Sequence, residues 1–345
     1  MFVKNSWYVA GSAEDFKSQP VGKTILGRKV VLFRTPDGVK AVENLCPHRH
    51  VPLSLGSVVD GTLQCAYHGL RFDGSGTCVE APGQRSVPRT ARVQSYPTHE
   101  RWRWIWIWMG SPELADPDLI PEYPWLSDPD WVAVTGQFQI KAGYELLLDN
   151  LHNHTHLQFV HGKTIGTDKI MTASQEMKRA GNQIHITRWL LDQPPPKLFA
   201  HAGGFTGNVD RWFNSVYLPP SGVVLDIGCA PTGTGAPQGN RGTGIEIRSL
   251  HAITPEDATH CSYYWAYVRS FKRDDETLTA MLKAGASATF EEDVAILEAQ
   301  QNEANQMPDR PYAVHLAADA GGIQVKRILA EMLRAEQAPA QAAAV

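Results

Sequence analysis

The sequence predicts an α+β chain of two domains: a small all-β domain, then a larger one mixing an antiparallel sheet with helices. Three observations lead there. Short strand-like runs separated by turn signals fill the first hundred residues, a proline- and aspartate-rich stretch then shifts the composition, and helical periodicity appears only beyond it. With 345 residues, 43% of them hydrophobic, the chain can bury a sizeable core and divides naturally into two domains.

From Lys23 to about Met109, the runs KTILGRKVVLFR, GVKAVEN and RWRWIWIWM read as strands, with TPDG (35–38) and DGSG (73–76) as turns. The Trp/Ile alternation reads as a buried strand; as a platform for stacking nucleic-acid bases it lacks a basic surround. SPELADPDLIPEYPWLSDPDW (111–131) is the connector, which places the domains at 1–115 and 116–345. Beyond it come a helix around a histidine cluster, the strand-like GVVLDIG and CSYYWAYV, and two helices, one near Asp275 to Asn305 and one in AGGIQVKRILAEMLRAEQ.

Composition narrows the function classes. A net charge of −4 with acids and bases mixed throughout offers no stripe for a polyanion, so nucleic acid is not an expected partner. MFVKNSWYVAGSAEDF has no apolar signal core and WIWIWM is too short to span a bilayer, so the expectation is a cytoplasmic protein with no membrane association. Of five cysteines, two are interleaved with histidines, which favours metal binding in a reducing compartment over disulfides.

The first constellation is Cys46-x-His48 followed, after sixteen intervening residues, by Cys65-x-x-His68. One thiolate and one imidazole from each half can hold a tetrahedral zinc. They can also hold a [2Fe–2S] cluster in which two histidines replace two cysteines on one iron, the Rieske arrangement. Both halves follow strand-like segments, Pro47 stiffens the first loop and Gly69 allows close backbone approach in the second, which favours the cluster. His50 is expected to be no ligand, and Cys78, Cys229 and Cys261 to be ordinary buried thiols.

The second constellation is DNLHNHTHLQFVHG (149–162), with four histidines in ten residues. On an ideal helix His152 and His156 share one face and His154 and His161 another, so spacing alone does not choose between them. HNHTH has the spacing of a zinc-protease H-E-x-x-H but carries Asn153 where the glutamate belongs. An iron oxygenase instead needs two histidines and one carboxylate, with other positions open. The acidic triplet Glu291-Glu292-Asp293, inside a helical apolar pattern, is the best candidate source.

Together these segments resemble the oxygenase component of Rieske non-haem iron monooxygenases, in the branch of toluenesulfonate methyl-monooxygenase, vanillate O-demethylase and dicamba O-demethylase. The resemblance covers essentially the whole chain, including NSWYVAG, CVEAPGQ (78–84), CAPTGTGAP (229–237), HAITPE (251–256), FEED (290–293) and ADAGG (318–322). It implies an N-terminal Rieske domain and a helix-grip (START-like) catalytic domain. It also implies a [2Fe–2S] cluster on Cys46, His48, Cys65 and His68, and mononuclear Fe(II) on His156, His161 and Asp293. Asn150 would lie near the iron and His251 would contact substrate. The family's trimers place one subunit's cluster beside its neighbour's iron, and where an aspartate usually bridges the two this chain has Asn153. A neutral amide keeps hydrogen bonds there but not the charge.

No flavin or nicotinamide fingerprint is present, so electrons are expected from a separate flavin- and NAD(P)H-dependent reductase, with or without a ferredoxin. The implied reaction is dioxygen-dependent hydroxylation of a methyl or methoxy carbon of an aromatic acid by a homotrimer. The rivals are ring dihydroxylation and, prompted by Asn153, a Rieske electron carrier or regulatory protein with a degenerate oxygenase domain.

Overall fold

The computed structural model describes residues 1–162, 165–312 and 314–342. Two compact units emerge, one of residues 1–122 with 254–257, the other of 123–253 with 258–345.

The first unit is built from β1 (Trp7–Ser12), β2 (Val21–Ile25), β3 (Arg28–Thr35), β4 (Gly38–Glu43), β5 (Ser57–Val59), β6 (Thr62–Gln64), β7 (Arg71–Phe72), β8 (Cys78–Glu80), β9 (Ser95–Tyr96), β10 (Thr98–Arg101) and β11 (Trp104–Trp108). They pair antiparallel in the orders β1-β11-β10, β2-β3-β4-β9 and β5-β6-β7-β8. Val30 to Phe33 of β3 are fully buried, and the strand's two faces serve two apolar clusters. One of these encloses Cys46, Cys65 and Cys78 among Phe33, Leu63 and Phe72. The run RWRWIWIWM is not one strand, as its alternation suggested. It folds back at Trp102 and Arg103, both at positive φ (57° and 61°), the conformation of a tight two-residue hairpin turn. Trp104 to Trp108 are then buried along their whole length.

The second unit is a seven-stranded antiparallel sheet. In chain order its strands are β12 (Val132–Ile140), β13 (Gln175–Ala180), β14 (Gln183–Gln193), β15 (Val209–Leu218), β16 (Gly222–Pro231), β17 (Ile245–Pro255) and β18 (Cys261–Arg269), and they lie in the order β12-β18-β17-β16-β15-β14-β13. In β14, buried Ile184, Ile186, Arg188 and Leu190 alternate with more exposed neighbours, the period of a strand with one face inward. Edge strand β13 is exposed and charged, which discourages further strand pairing.

Among the described residues the α-helices of the unit are α1 (Tyr144–His152), α2 (Lys197–Gly203), α3 (Glu276–Gln306) and α4 (Ala320–Ala342). Asp275 caps α3 by accepting from the Leu278 amide at 2.8 Å. Its buried residues, Leu278, Leu282, Ala286, Thr289, Phe290, Asp293 and Leu297, recur at three- and four-residue intervals, so one carboxylate lies on an otherwise apolar stripe. The Gly321–Gly322 pair opens α4; a Cβ on Gly322 would lie 2.3 Å from the Asp149 carboxylate, so glycine is what lets α4 approach α1. No helix among the described residues is long and apolar enough to cross a membrane.

Candidate active site and metal centres

The two Cys/His loops of the first unit close in the same way. The Cys46 amide donates to the Val51 carbonyl (2.9 Å) and the Cys65 amide to that of Leu70 (2.8 Å), each five residues on. In return the Cys46 carbonyl accepts from His50 (2.8 Å) and the Cys65 carbonyl from Gly69 (3.1 Å). His50 and Gly69 are therefore equivalent positions, both at positive φ (57° and 72°). The glycine needs no explanation there; His50 is an exposed residue at a turn. The two thiols are buried, and burial first, then the neighbouring Cys65 thiol, push the Cys46 thiol up. His48 and His68 are exposed, with ring centroids 4.5 Å apart. Two thiols below and two imidazoles at the surface form a donor set suited to a mixed-ligand [2Fe–2S] cluster.

In the second unit the helix expected around the histidines stops at His152. Asn153 leaves the helix (φ −113°, ψ 91°) and caps the 3-10 turn His154–Gln158, its Oδ1 accepting from the Thr155 amide (3.1 Å) and hydroxyl (2.5 Å). That break ends the ideal-helix pairing of the four histidines. His152 turns into the core, donating from Nδ1 to the Leu148 carbonyl (2.7 Å), edge-on to Tyr217. His154 is equally buried, beside Phe213, and neither ring nitrogen has a hydrogen-bond partner among the described residues. Burial lowers their pKa values to about 4 and about 3, keeping both neutral.

His156 and His161 face each other, centroids 5.1 Å apart, and meet Asp293 from α3. Asp293 Oδ1 lies 3.5 Å from His156 Nε2 and 3.2 Å from His161 Nε2. One ligand atom from each of the three falls within 4.8 Å of the others, a grouping that can hold a metal ion. The outward nitrogens are anchored: His156 Nδ1 donates to the Asn153 backbone carbonyl (2.5 Å) and His161 Nδ1 to Glu292 (2.8 Å). Fixing Nδ1 turns both Nε2 atoms toward Asp293 and the shared space, the usual arrangement of metal-binding imidazoles. Asn150 Nδ2 donates to Asp293 Oδ1 (2.9 Å), while its own Oδ1 is buried without a partner among the described residues. Burial lowers the pKa of His156 despite Asp293. It also opposes charge on His161, but the paired carboxylates Asp293 and Glu292 outweigh it and raise that residue.

The Asn153 side chain makes no hydrogen bond to His156; its backbone carbonyl does. The amide Nδ2 donates instead to Asp319, 2.9 Å away at the start of α4. Sequence reasoning passed over Asp319 and the role of Glu292, because neither carries a spacing signal of its own. His251 is fully buried, with Nε2 2.9 Å from the Ser249 hydroxyl and Nδ1 2.6 Å from that of Tyr263, on which it stacks; Phe290 lies edge-on to both rings. A mostly apolar cavity of about 580 Å³ is lined by Gly162, the residue after His161, and by Phe213, Ile227, Ile247 and Tyr267 of the sheet. Cys78, Cys229 and Cys261 are buried free thiols.

Comparison with known proteins agrees with this geometry and defines the class. The Rieske [2Fe-2S] domain family matches residues 6–97, and the vanillate O-demethylase oxygenase C-terminal domain family matches residues 140–335. The chain therefore belongs to the Rieske non-haem iron oxygenases, and its cofactors are a [2Fe–2S] cluster and a mononuclear iron. Within that class it falls among the oxygenase components of multicomponent monooxygenases. It is 40% identical over 342 residues to the toluene-4-sulfonate monooxygenase system iron–sulfur subunit of Comamonas testosteroni, covering 97% of this chain and 98% of that one. It is 37% identical over 356 residues to the vanillate O-demethylase oxygenase subunit of Pseudomonas sp. strain HR199, covering 100% and 99%. The crystal structure of dicamba monooxygenase bound to dicamba superposes with a TM-score of 0.88 at 35% identity, covering 98% of this chain and 99% of that one.

Proposed function

We propose that this chain hydroxylates a methyl or methoxy carbon of an aromatic acid, with Cys46, His48, Cys65 and His68 holding the cluster and His156, His161 and Asp293 the iron. The observation that carries the reading is the convergence of both Nε2 atoms and the Asp293 carboxylate next to an apolar cavity of ligand size. When bound, the cluster supplies electrons one at a time and the iron activates dioxygen.

The chain's own groups do the rest. Asn153 and Glu292 fix the tautomers of the two histidines, and Asn150 orients Asp293 through its amide nitrogen. Aromatic and aliphatic walls exclude water and hold the ring. His251 serves as a neutral donor to substrate by exchanging its Ser249 contact. A methoxy carbon hydroxylated this way collapses to formaldehyde and a phenol. Electrons come from a separate reductase, directly or through a ferredoxin, in the cytoplasm. A homotrimer brings a neighbouring cluster to the cleft formed by Asn153, His156, Asp319 and Lys326, which supports the assembly by its position beside the iron ligands.

Metal analysis and product analysis test the proposal together. Three iron atoms per chain are expected, against two for an electron carrier. With a compatible reductase, a panel of methyl- and methoxy-substituted aromatic acids should give hydroxymethyl products or formaldehyde with a phenol. A cis-dihydrodiol as the main product would replace this reading with ring dihydroxylation.

A further inference from the structure

The cavity that reaches Gly162, the residue after His161, holds a cation that the chemistry above does not use. Arg211, on β15, is only 6% exposed and lines the cavity. By register it shares the inward face of the sheet with Phe213, next to Cys229 of β16, and its guanidinium lies 5.1 Å from the centre of the Phe213 ring.

Other arginines of this unit have internal acceptors, although Arg188 Nε and Arg269 Nε are buried without one among the described residues. Arg188 donates to the Ile170 carbonyl and to Gln175; Arg269 donates to the Lys272 and Asp275 carbonyls and to Thr279; Arg241 and Arg248 pair with Asp226 and Glu246. Arg211 makes no salt bridge and no side-chain hydrogen bond among the described residues. Burial lowers its pKa to about 10, with only the Cys229 thiol acting the other way. The charged residues at the cavity mouth, Asp168 and Lys169, are exposed. A guanidinium that is largely buried and faces a confined, mostly apolar cavity is poorly solvated, so its counter-ion is left to come from outside. The planar fork fits a carboxylate or sulfonate through two parallel N–H contacts.

We propose that Arg211 is the specificity-determining counter-ion for the anionic group of the substrate, a ring-borne carboxylate or sulfonate. The ring then packs along Phe213, Ile227 and Ile247, and its remaining substituents point toward the Gly162 end of the cavity, beside His161. The inference rests on the proposed function for the identity of the ring, but it concerns binding, which needs neither reductase nor turnover. It supplies the full charge that His251, a neutral group already engaged at both nitrogens, does not.

Calorimetric titration of the cluster-containing protein with 4-methylbenzoate, 4-toluenesulfonate and the neutral 4-methylbenzamide tests it. The parent protein should bind at least one anion tenfold or more tighter than the amide, and whichever anion leads names the substrate class. Arg211→Gln should weaken that anion about 100-fold and leave the amide within threefold, within the range for removing one partner of a buried charge pair. Arg211→Lys, which keeps charge but loses the fork, should fall between. The cluster's visible spectrum reports folding in each variant; if Arg211→Gln does not fold, the parent's anion-to-amide ratio and Arg211→Lys decide. Equal affinity of the parent for anion and amide, or anion binding by a folded Arg211→Gln within threefold of the parent, overturns the proposal. Arg211-dependent anion binding without any oxygenated product would instead count against the proposed reaction and leave this inference standing.

Discussion

Replacing Glu292 by glutamine asks how much the carboxylate behind His161 contributes to iron binding. In the parent, Glu292 accepts from His161 Nδ1 at 2.8 Å, which holds the ring with Nε2 toward Asp293. A hydrogen bond to a charged group contributes about 1.5–3 kcal/mol and a neutral one about 0.5–1.5. The Glu292 side chain is 28% exposed, so solvent screening places the charged bond at the low end, and glutamine keeps a neutral one. With the neutral bond at the low end of its range as well, the difference of about 1 kcal/mol corresponds to about fivefold weaker iron, just under the range for groups behind a metal ligand. Competition for Fe(II) against a chelator, under anaerobic conditions at pH 8.5, measures it, while the cluster spectrum stays unchanged. Asp293→Ala is the comparator and should lose far more. A second readout follows from His161 itself. Asp293 and Glu292 raise its pKa in the iron-free protein, so protons compete with iron as pH falls; with Glu292 neutral they compete less. The roughly fivefold deficit should therefore shrink toward pH 6. Iron affinity within twofold of the parent at pH 8.5, or a loss as large as in Asp293→Ala, would refute the reasoning.

Three further outcomes are expected. Asn153→Asp puts two carboxylates where the amide now donates to Asp319, which raises the folded-state pKa of one of them. A group raised on folding contributes stability at low pH and loses it as pH rises, so urea unfolding should show a deficit of about 1–2 kcal/mol at pH 8 that closes toward pH 5, with Asp319→Asn restoring the double variant. His50→Gly at φ 57° should keep stability within about 1 kcal/mol and leave the cluster's EPR signal unchanged; loss of the signal would make His50 a ligand. The pKa values of His152, His154 and His251 are lowered to about 4, 3 and 3 by burial, so each takes up a proton on unfolding below its ordinary value of 6.5. Stability is whole above that value and falls beneath it, by about 1.4 kcal/mol per residue at pH 5.5, or about 4 kcal/mol for the three. A difference under 1 kcal/mol between pH 7.5 and 5.5 in the iron-free protein would contradict it.

The sequence by itself determined the class of chemistry and singled out the two segments proposed to hold metal. Ligands within a loop are local: Cys46-x-His48 and Cys65-x-x-His68 each fit one turn of chain, and their donor types suit a mixed cluster whatever surrounds them. The buried Trp104–Trp108 strand and the long helix near Asp275 to Asn305 were legible for the same reason, since a period of two or of 3.6 is written in neighbouring residues. The hairpin at Trp102 and Arg103 was not, because those residues lack the glycine or asparagine that usually marks positive φ. Tertiary structure alone decided which histidines meet a carboxylate. The break at Asn153 depends on its capping of Thr155 and on Asp319 arriving from 166 residues away, and Asp293 joins the pair from 132 residues beyond His161 because α3 turns its buried stripe toward them. The resemblance to a known family, not spacing, had already pointed to His156, His161 and Asp293. Arg211 had no signal in the sequence at all: a lone arginine in a strand becomes a candidate anion site only when sheet register and cavity leave it without a salt bridge or side-chain hydrogen bond among the described residues.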